Sequence, residues 1–97
     1  MFTYVTLYKW TDQGARNVKG APDRMSAAVK AVEQMGGKVL ALYVTMGEFD
    51  LVAITQWPSD EAGVAMLLSQ AAQGNVQTRT MRGFTPEEFA AVLKRLP

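Results

Sequence analysis

The sequence predicts an α+β domain with a ferredoxin-like βαββαβ fold, in which one four-stranded antiparallel sheet carries two helices on a single face. Three observations support this prediction: strand and helix patterns occur in that order, glycine or proline marks the junctions, and 97 residues suit one domain. Each long helix joins two strands, and such crossovers place both helices on the same side. We therefore expect a single domain over residues 1–97, with a C-terminal helix added.

The first strand and the first long helix follow from periodicity. Aromatic and β-branched residues alternate over residues 2–10, which predicts a strand. A short helical turn capped by Thr11 follows and ends at Gly20. The long helix opens at residues 21–23, where a proline suits the first turn, and the glycines at 36–37 end it. Its apolar stripe has helical spacing and consists of Met25, Ala28, Val29, Val32 and Met35.

A β-hairpin is predicted in the middle of the chain. Its strands cover residues 38–46 and 49–57 and meet at Gly47-Glu48, because glycine suits the first central position of a type II′ turn. This turn places Val44 opposite Leu51. We expect the wholly apolar face of the hairpin, with two residues of the first strand, to lie under the helices. That face consists of Val5, Leu7, Leu40, Leu42, Val44, Met46, Phe49, Leu51 and Ala53.

The remaining elements carry clear capping signals. Ser59 is the expected cap of the second helix, which Gly74 ends, and a weaker strand follows over residues 75–82. Thr85 and Glu88 form a capping box for the last helix, with a proline at its first position. The expected apolar stripe of the second helix is Val64, Leu67, Leu68 and Ala71, and the expected staple of the last helix is Phe84 with Phe89.

Composition excludes several kinds of chemistry. The chain has no Cys and no His, so disulfides, thiolate sites and serine–histidine catalysis are ruled out. Asp12, Glu48 and Asp50 lack the spacing of a loop that binds a hard cation, and we expect no metal and no cofactor. A net charge of +1 without a basic stripe argues against nucleic acid. No signal peptide or membrane span is predicted, so we expect a cytoplasmic location and no membrane partner.

The uncovered face of the sheet is the expected interaction surface. We expect it to show aromatic and aliphatic side chains where an exposed sheet normally turns polar. Apolar surface of this kind marks an interface or a ligand site, so we expect a homo-oligomer, a dimer or larger. The predicted face consists of Tyr4, Thr6, Tyr8, Tyr43, Val52 and Ile54.

Five residues of that predicted face or its rim are the candidates for binding a small molecule. Tyr4, Tyr8, Tyr43 and Arg79 could surround an acidic or planar ligand, and an oligomer interface enriched in the same residue types is the favoured alternative. Asp50 could bind an amine or act as a base. The favoured interpretation of Asp50 is structural, with its carboxylate accepting backbone N–H groups near the turn at Gly47. No catalytic residue is assigned.

Five segments, which together span nearly the whole chain, carry a recognisable pattern: residues 4–14, 19–24, 36–38, 47–50 and 74–76. They resemble the GYD-domain family, although Phe49 stands where the family usually has tyrosine. The resemblance implies a ferredoxin-like domain that associates as a dimeric α/β barrel, and it specifies no activity. The hairpin at residues 47–50 is also similar to that of the effector-binding domain of feast/famine transcription regulators, which implies a small-molecule sensor without a DNA-binding half.

Three functions remain open at this point. The first is an oligomeric ligand-binding or regulatory module, which the lack of His and Cys favours. The second is a cofactor-independent barrel enzyme, a monooxygenase or isomerase working with Tyr, Arg and Asp. The third is a purely structural subunit that assembles through its edges. A closed cavity that excludes water would favour the second function, and a filled sheet face would favour the third.

Overall fold

A computed structural model describes all 97 residues and confirms the predicted α+β fold with its four-stranded antiparallel sheet. The strands are β1 (Phe2–Trp10), β2 (Lys38–Val44), β3 (Leu51–Trp57) and β4 (Val76–Gly83). Their order in the sheet is β2-β3-β1-β4, and every neighbouring pair is antiparallel. The first and third strands therefore form the centre of the sheet.

The helices begin and end close to the predicted positions. They are α1 (Asp12–Arg16), α2 (Ala21–Gln34), α3 (Asp60–Gln73) and α4 (Pro86–Leu93), with a 3₁₀ turn over Val18–Gly20. The side chains of Thr11, Ser59 and Thr85 cap α1, α3 and α4 as predicted. Gly74 ends α3 in the left-handed conformation, with φ at +81°.

The hairpin keeps the predicted register but contains a bulge that the sequence did not indicate. Val44 pairs with Leu51, as predicted, although the strands are shorter than expected. The register shifts between Val39 and Ala41, so Val39 pairs with Thr55 and packs against the core. Leu40, expected under the helices, is consequently 54% exposed.

The predicted facing of β1 is wrong. Tyr4 and Thr6 are buried on the helix side, whereas Val5 and Leu7 are only half-buried and pair with residues of the open face. Both faces of this strand offer large or β-branched side chains, so its alternation identifies two faces without saying which one meets the helices. Tyr4 and Tyr8 therefore lie on the side of the sheet opposite to the predicted one.

The predicted apolar stripe of α3 is also wrong. Gly63 and Met66 are the buried residues of this helix, while Val64 is exposed and Leu68 is 64% exposed. The reason is a close approach between the helix and the sheet. A Cβ added at Gly63 would lie 2.4 Å from Cε2 of Tyr4, so only glycine lets the helix backbone meet this ring.

The C-terminal helix stands largely exposed. Glu88 is the one half-buried residue of α4, and the molecule extends 51 Å along its longest axis. The capping box is complete, because the Thr85 hydroxyl accepts from the Glu88 N–H at 3.1 Å and the Glu88 carboxylate accepts from the Thr85 N–H at 2.9 Å. Local hydrogen bonds thus define where α4 begins, although little packing supports it.

We expect Thr85→Ala to destabilise α4 by about 1 kcal/mol, because the Glu88 N–H loses its acceptor. Amide hydrogen exchange in α4 should accelerate roughly fivefold. Thr85→Ser is the matched control, since serine keeps the hydroxyl, and it should exchange like the wild type. Equal exchange rates in the alanine variant and the wild type would show that the cap contributes nothing to α4.

Candidate functional site

The five candidate ligand-binding residues do not share one face of the sheet. Tyr4 and Tyr8 contact α3 on the helix side, through Asp60 and Gln70 respectively. The other three candidates lie elsewhere: Tyr43 and Arg79 on the open face, and Asp50 where the hairpin meets the end of β1. The expected convergence on the open face is therefore wrong, because it depended on the reversed facing of β1. Binding by the individual residues stays a prediction.

Tyr4 holds α3 against the centre of the sheet. Its side chain is 7% exposed and packs with Val32, Trp57 and Met66 in the main apolar cluster. Its hydroxyl donates to the carboxylate of Asp60 in the first turn of α3. Burial and then the hydrogen bond with this carboxylate raise the pKa of Tyr4 to about 12. These contacts give Tyr4 a structural role in the domain.

Tyr8 lies further along the sheet beside α3, at the edge of an open space between the helices and the sheet. Its hydroxyl donates to Oε1 of Gln70 at 3.2 Å, and burial raises the pKa of Tyr8 above its usual value. Because the Gln70 oxygen serves as the acceptor, the amide N–H groups of Gln70 remain available to another partner. This pair therefore presents hydrogen-bonding groups to the space beside it.

Asp50 connects the hairpin to the end of β1. Its carboxylate accepts the backbone N–H of Trp10 at 2.8 Å, and its own N–H donates to the carbonyl of Tyr8 at 2.8 Å. This geometry supports the structural interpretation of Asp50, although the donor belongs to β1 and not to the turn at Gly47. The carboxylate extends the pairing of the central strands beyond the last regular pair.

A cleft of about 310 Å³ lies between α2, α3 and the sheet, beyond the cluster around Tyr4. Its walls are mostly apolar, and it is within the size range of small-molecule sites. Arg24 is the one charged residue among those that line it. The floor and walls include Tyr8, Trp10, Ala28, Val29, Leu42, Leu51, Ala53, Met66 and Gln70.

Arg24 is a potential site residue that the sequence reasoning missed. Its Nη1 donates to the carbonyl of Asn17 at 3.0 Å, whereas its Nη2 is buried and has no hydrogen-bond partner. A signal did exist in the sequence, because Arg24 precedes Ala28 by four residues and so lies on the apolar face of α2. A charged residue on the buried stripe of a helix is unusual, which makes Arg24 a candidate for a functional residue.

The open face of the sheet carries two cross-strand rows of side chains that are apolar except for Arg79. Cross-strand pairing aligns Val5 with Ile54 and Met81 in the first row. The second row consists of Tyr43, Val52, Leu7 and Arg79. Of these side chains, Tyr43 is 65% exposed. A sheet face that is exposed to water normally carries polar residues, whereas the central strands carry apolar residues on this face. The open face therefore has the composition of an interface.

One cation connects the sheet to the segment that leads into α4. The guanidinium of Arg82 lies 4.8 Å from the ring centroid of Phe2 and 4.9 Å from that of Phe84. Stacking of this kind stabilises modestly at an exposed site. Phe84 and Phe89, the expected staple, both remain more than half exposed.

A metal-binding cluster and a membrane-spanning helix are both absent. No group of three or more acidic residues is arranged to hold a metal ion. No helix is both long enough and apolar enough to cross a bilayer.

The fold and these surfaces define a small ferredoxin-like α+β domain with an apolar open sheet face. The family model of the GYD domain matches residues 4–93, and the chain therefore belongs to the GYD-domain family. A curated relative from Thermus thermophilus is 31% identical over 96 residues, which cover 97% of this chain and all of the relative. That protein is named glutamine synthetase and cystathionine beta-lyase binding protein.

Two crystal structures share the fold at lower identity. An FFRP protein has a TM-score of 0.55 and 21% identity, and the match covers 87% of this chain and all of that protein. The other structure, TTHA0845 from Thermus thermophilus, has a TM-score of 0.52 and 22% identity, with 88% of this chain and 95% of that protein covered. At these identities the likeness shows the fold alone.

We expect the stability of the wild type to fall as the pH rises from about 10 towards about 12, and Tyr4→Phe to reduce this fall. The folded-state pKa of Tyr4 lies near 12 against an ordinary value of 10.0, so the unfolded chain releases this proton first. The contribution is complete below pH 10 and is lost as the pH rises through the folded-state pKa.

Urea denaturation at several alkaline pH values measures this effect. If Tyr4→Phe and the wild type lose stability in parallel, Tyr4 does not titrate as its environment predicts.

Proposed function

We propose that this chain is a self-associating binding and regulatory module without catalytic machinery of its own. Two copies would associate through the open face of the sheet, and the assembly would bind other proteins. The observation that carries the proposal is the pair of largely apolar rows on that face. Their residues belong largely to the central strands, and they stay partly accessible to water in the single chain.

The total surface of the chain supports association. A folded monomer of 10.6 kDa is expected to expose about 5,500 Å². This chain exposes 6638 Å², an excess of roughly 1,100 Å². Each partner in a stable complex of standard size buries about 800 Å². The excess is therefore large enough to account for one protein interface on each chain.

The exposed C-terminal helix also supports association. It has 8 residues, and isolated helices of this length are marginal in water. Three of its apolar side chains, Phe89, Val92 and Leu93, are more than 40% exposed. Burial against a second copy would provide the packing that stabilises short amphipathic helices.

Binding of other proteins is proposed from the relative. The Thermus thermophilus protein is named for binding glutamine synthetase and cystathionine beta-lyase, and the match spans that whole protein. We propose that the present chain likewise binds a metabolic enzyme. The exposed apolar side chains of α3, Val64 and Leu68, form the surface that would remain for such a partner after the sheets pair and α4 packs against the second copy.

We expect light scattering after size exclusion to show a dimer or a larger assembly at about 10 μM, in the range where moderate interfaces persist. Tyr43→Asp should shift the mass towards the monomer, because it would bury an unpaired charge between the sheets. Leu68→Asp is the matched control, since it has the same charge and similar exposure on the helix side, and it should keep the wild-type mass.

Two outcomes contradict the proposed interface. A wild-type protein that elutes with the mass of one chain has no self-association at this concentration. A Tyr43→Asp variant that keeps the wild-type mass, while Leu68→Asp loses it, would move the interface from the sheet to α3.

Binding to enzymes is tested separately by surface plasmon resonance with purified glutamine synthetase and cystathionine beta-lyase. We expect saturable binding of at least one of them to the wild type, weakened by Leu68→Asp, because the substitution places a charge in the proposed contact. Serum albumin is the control for non-specific adsorption. If neither enzyme binds at micromolar concentration, the enzyme-binding part of the proposal fails while the self-association result stands.

A further inference from the structure

We propose that the cleft between α2 and α3 binds a small amphipathic carboxylate, with Arg24 as the residue that recognises its charge. This site lies on the opposite side of the sheet from the proposed association surface and does not depend on it. The cleft is formed by one chain alone, so the ligand could bind a monomer or an assembly.

The shape and lining of the cleft favour a ligand with an apolar body. The volume of about 310 Å³ is at the lower end of the usual range for small-molecule sites. The sheet supplies a floor of Leu51 and Ala53, and the helices supply walls that include Ala28, Val29 and Met66. A short aliphatic chain or one aromatic ring fits these contacts better than a sugar or a nucleotide, which would leave polar groups unpaired.

The charge of the lining selects an anion. Arg24 is its one charged residue, and no carboxylate of the chain lines the cleft beside it. The Nη2 atom of Arg24 is buried without a hydrogen-bond partner, and a buried guanidinium nitrogen of this kind needs an acceptor. A carboxylate matches the planar donor pattern of arginine and pairs strongly with it where water is excluded.

A second hydrogen-bonding group, the side-chain amide of Gln70, lines the same cleft. Gln70 accepts the hydroxyl hydrogen of Tyr8, which orients its amide and leaves two N–H donors for a ligand. The arrangement therefore suits a ligand that has a carboxylate for Arg24 and a second acceptor for Gln70, such as a hydroxyl or carbonyl oxygen. One charged anchor, one neutral donor group and apolar walls are the usual make-up of a site for a small organic acid.

Isothermal titration calorimetry with octanoate and 3-phenylpropanoate tests the proposal, and octanamide is the uncharged comparison. We expect the wild type to bind at least one of the two acids with a Kd below about 1 mM. Octanamide should bind at least about tenfold more weakly than octanoate, because it lacks the charge that pairs with Arg24. Arg24→Gln should weaken the acid roughly tenfold, and Arg24→Lys less.

Arg16→Gln is the matched control, since it removes an exposed arginine in α1 that does not line the cleft and should leave acid binding unchanged. Ser69→Phe is a second test, because Ser69 is exposed yet lines the cleft, so a phenyl group there should block the acid without disturbing the core. Thermal melts identify any variant that fails to fold.

Four results obtained with the assembled protein would overturn the inference. They are no acid binding by the wild type, equal binding of octanamide and octanoate, full binding by folded Arg24→Gln, and full binding by Ser69→Phe. Acid binding that survives in a monomeric Tyr43→Asp variant would support the cleft as a site independent of association. Loss of acid binding in that folded monomer would overturn the assignment to a site formed by one chain.

Discussion

The contact between the ring of Tyr4 and Gly63 is the constraint on which the helix side of the molecule depends. Because no side chain separates them, α3 approaches the sheet at this point more closely than an alanine would permit. The hydroxyl of the same tyrosine donates to Asp60 in the first turn of that helix. The two contacts together fix the rotation of α3 about its axis. That rotation buries Met66 and leaves Leu68 in water, although the sequence favours Leu68 as the more apolar choice for the core.

Features that depend on neighbouring residues could be predicted from the sequence, and features that depend on distant contacts could not. The order of the elements, the three side-chain caps and the pairing of Val44 with Leu51 follow from periodicity and turn chemistry within a few residues. The facing of β1, the bulge near Val39 and the rotation of α3 depend on what packs against each element. A strand with two apolar faces is compatible with either orientation, and only the helices above it decide between them.

The dependence on distant contacts also explains why the candidate residues do not converge on one face as predicted. The sequence identified the residue types that bind ligands, but the reversed facing of β1 separates its two tyrosines from Tyr43 and Arg79. The structural interpretation of Asp50 agrees with its hydrogen bond, while its partner Trp10 lies forty residues away and could not be inferred from the turn. Arg24 could have been found, because its position on the apolar face of α2 is visible in the spacing to Ala28.

The sheet also gives a physical route by which its two sides can influence each other. Neighbouring residues of β1, Leu7 and Tyr8, face the open side and the cleft respectively, and Val52 and Leu51 do the same on β3. A shift of these central strands therefore changes the packing on both sides at once, since close-packed interiors transmit displacement. Coupling between two binding events is reciprocal in free energy. A ligand that binds the cleft more tightly when the chains are assembled must raise the association constant of the chains by the same factor. A regulatory module requires this reciprocal coupling between ligand binding and assembly.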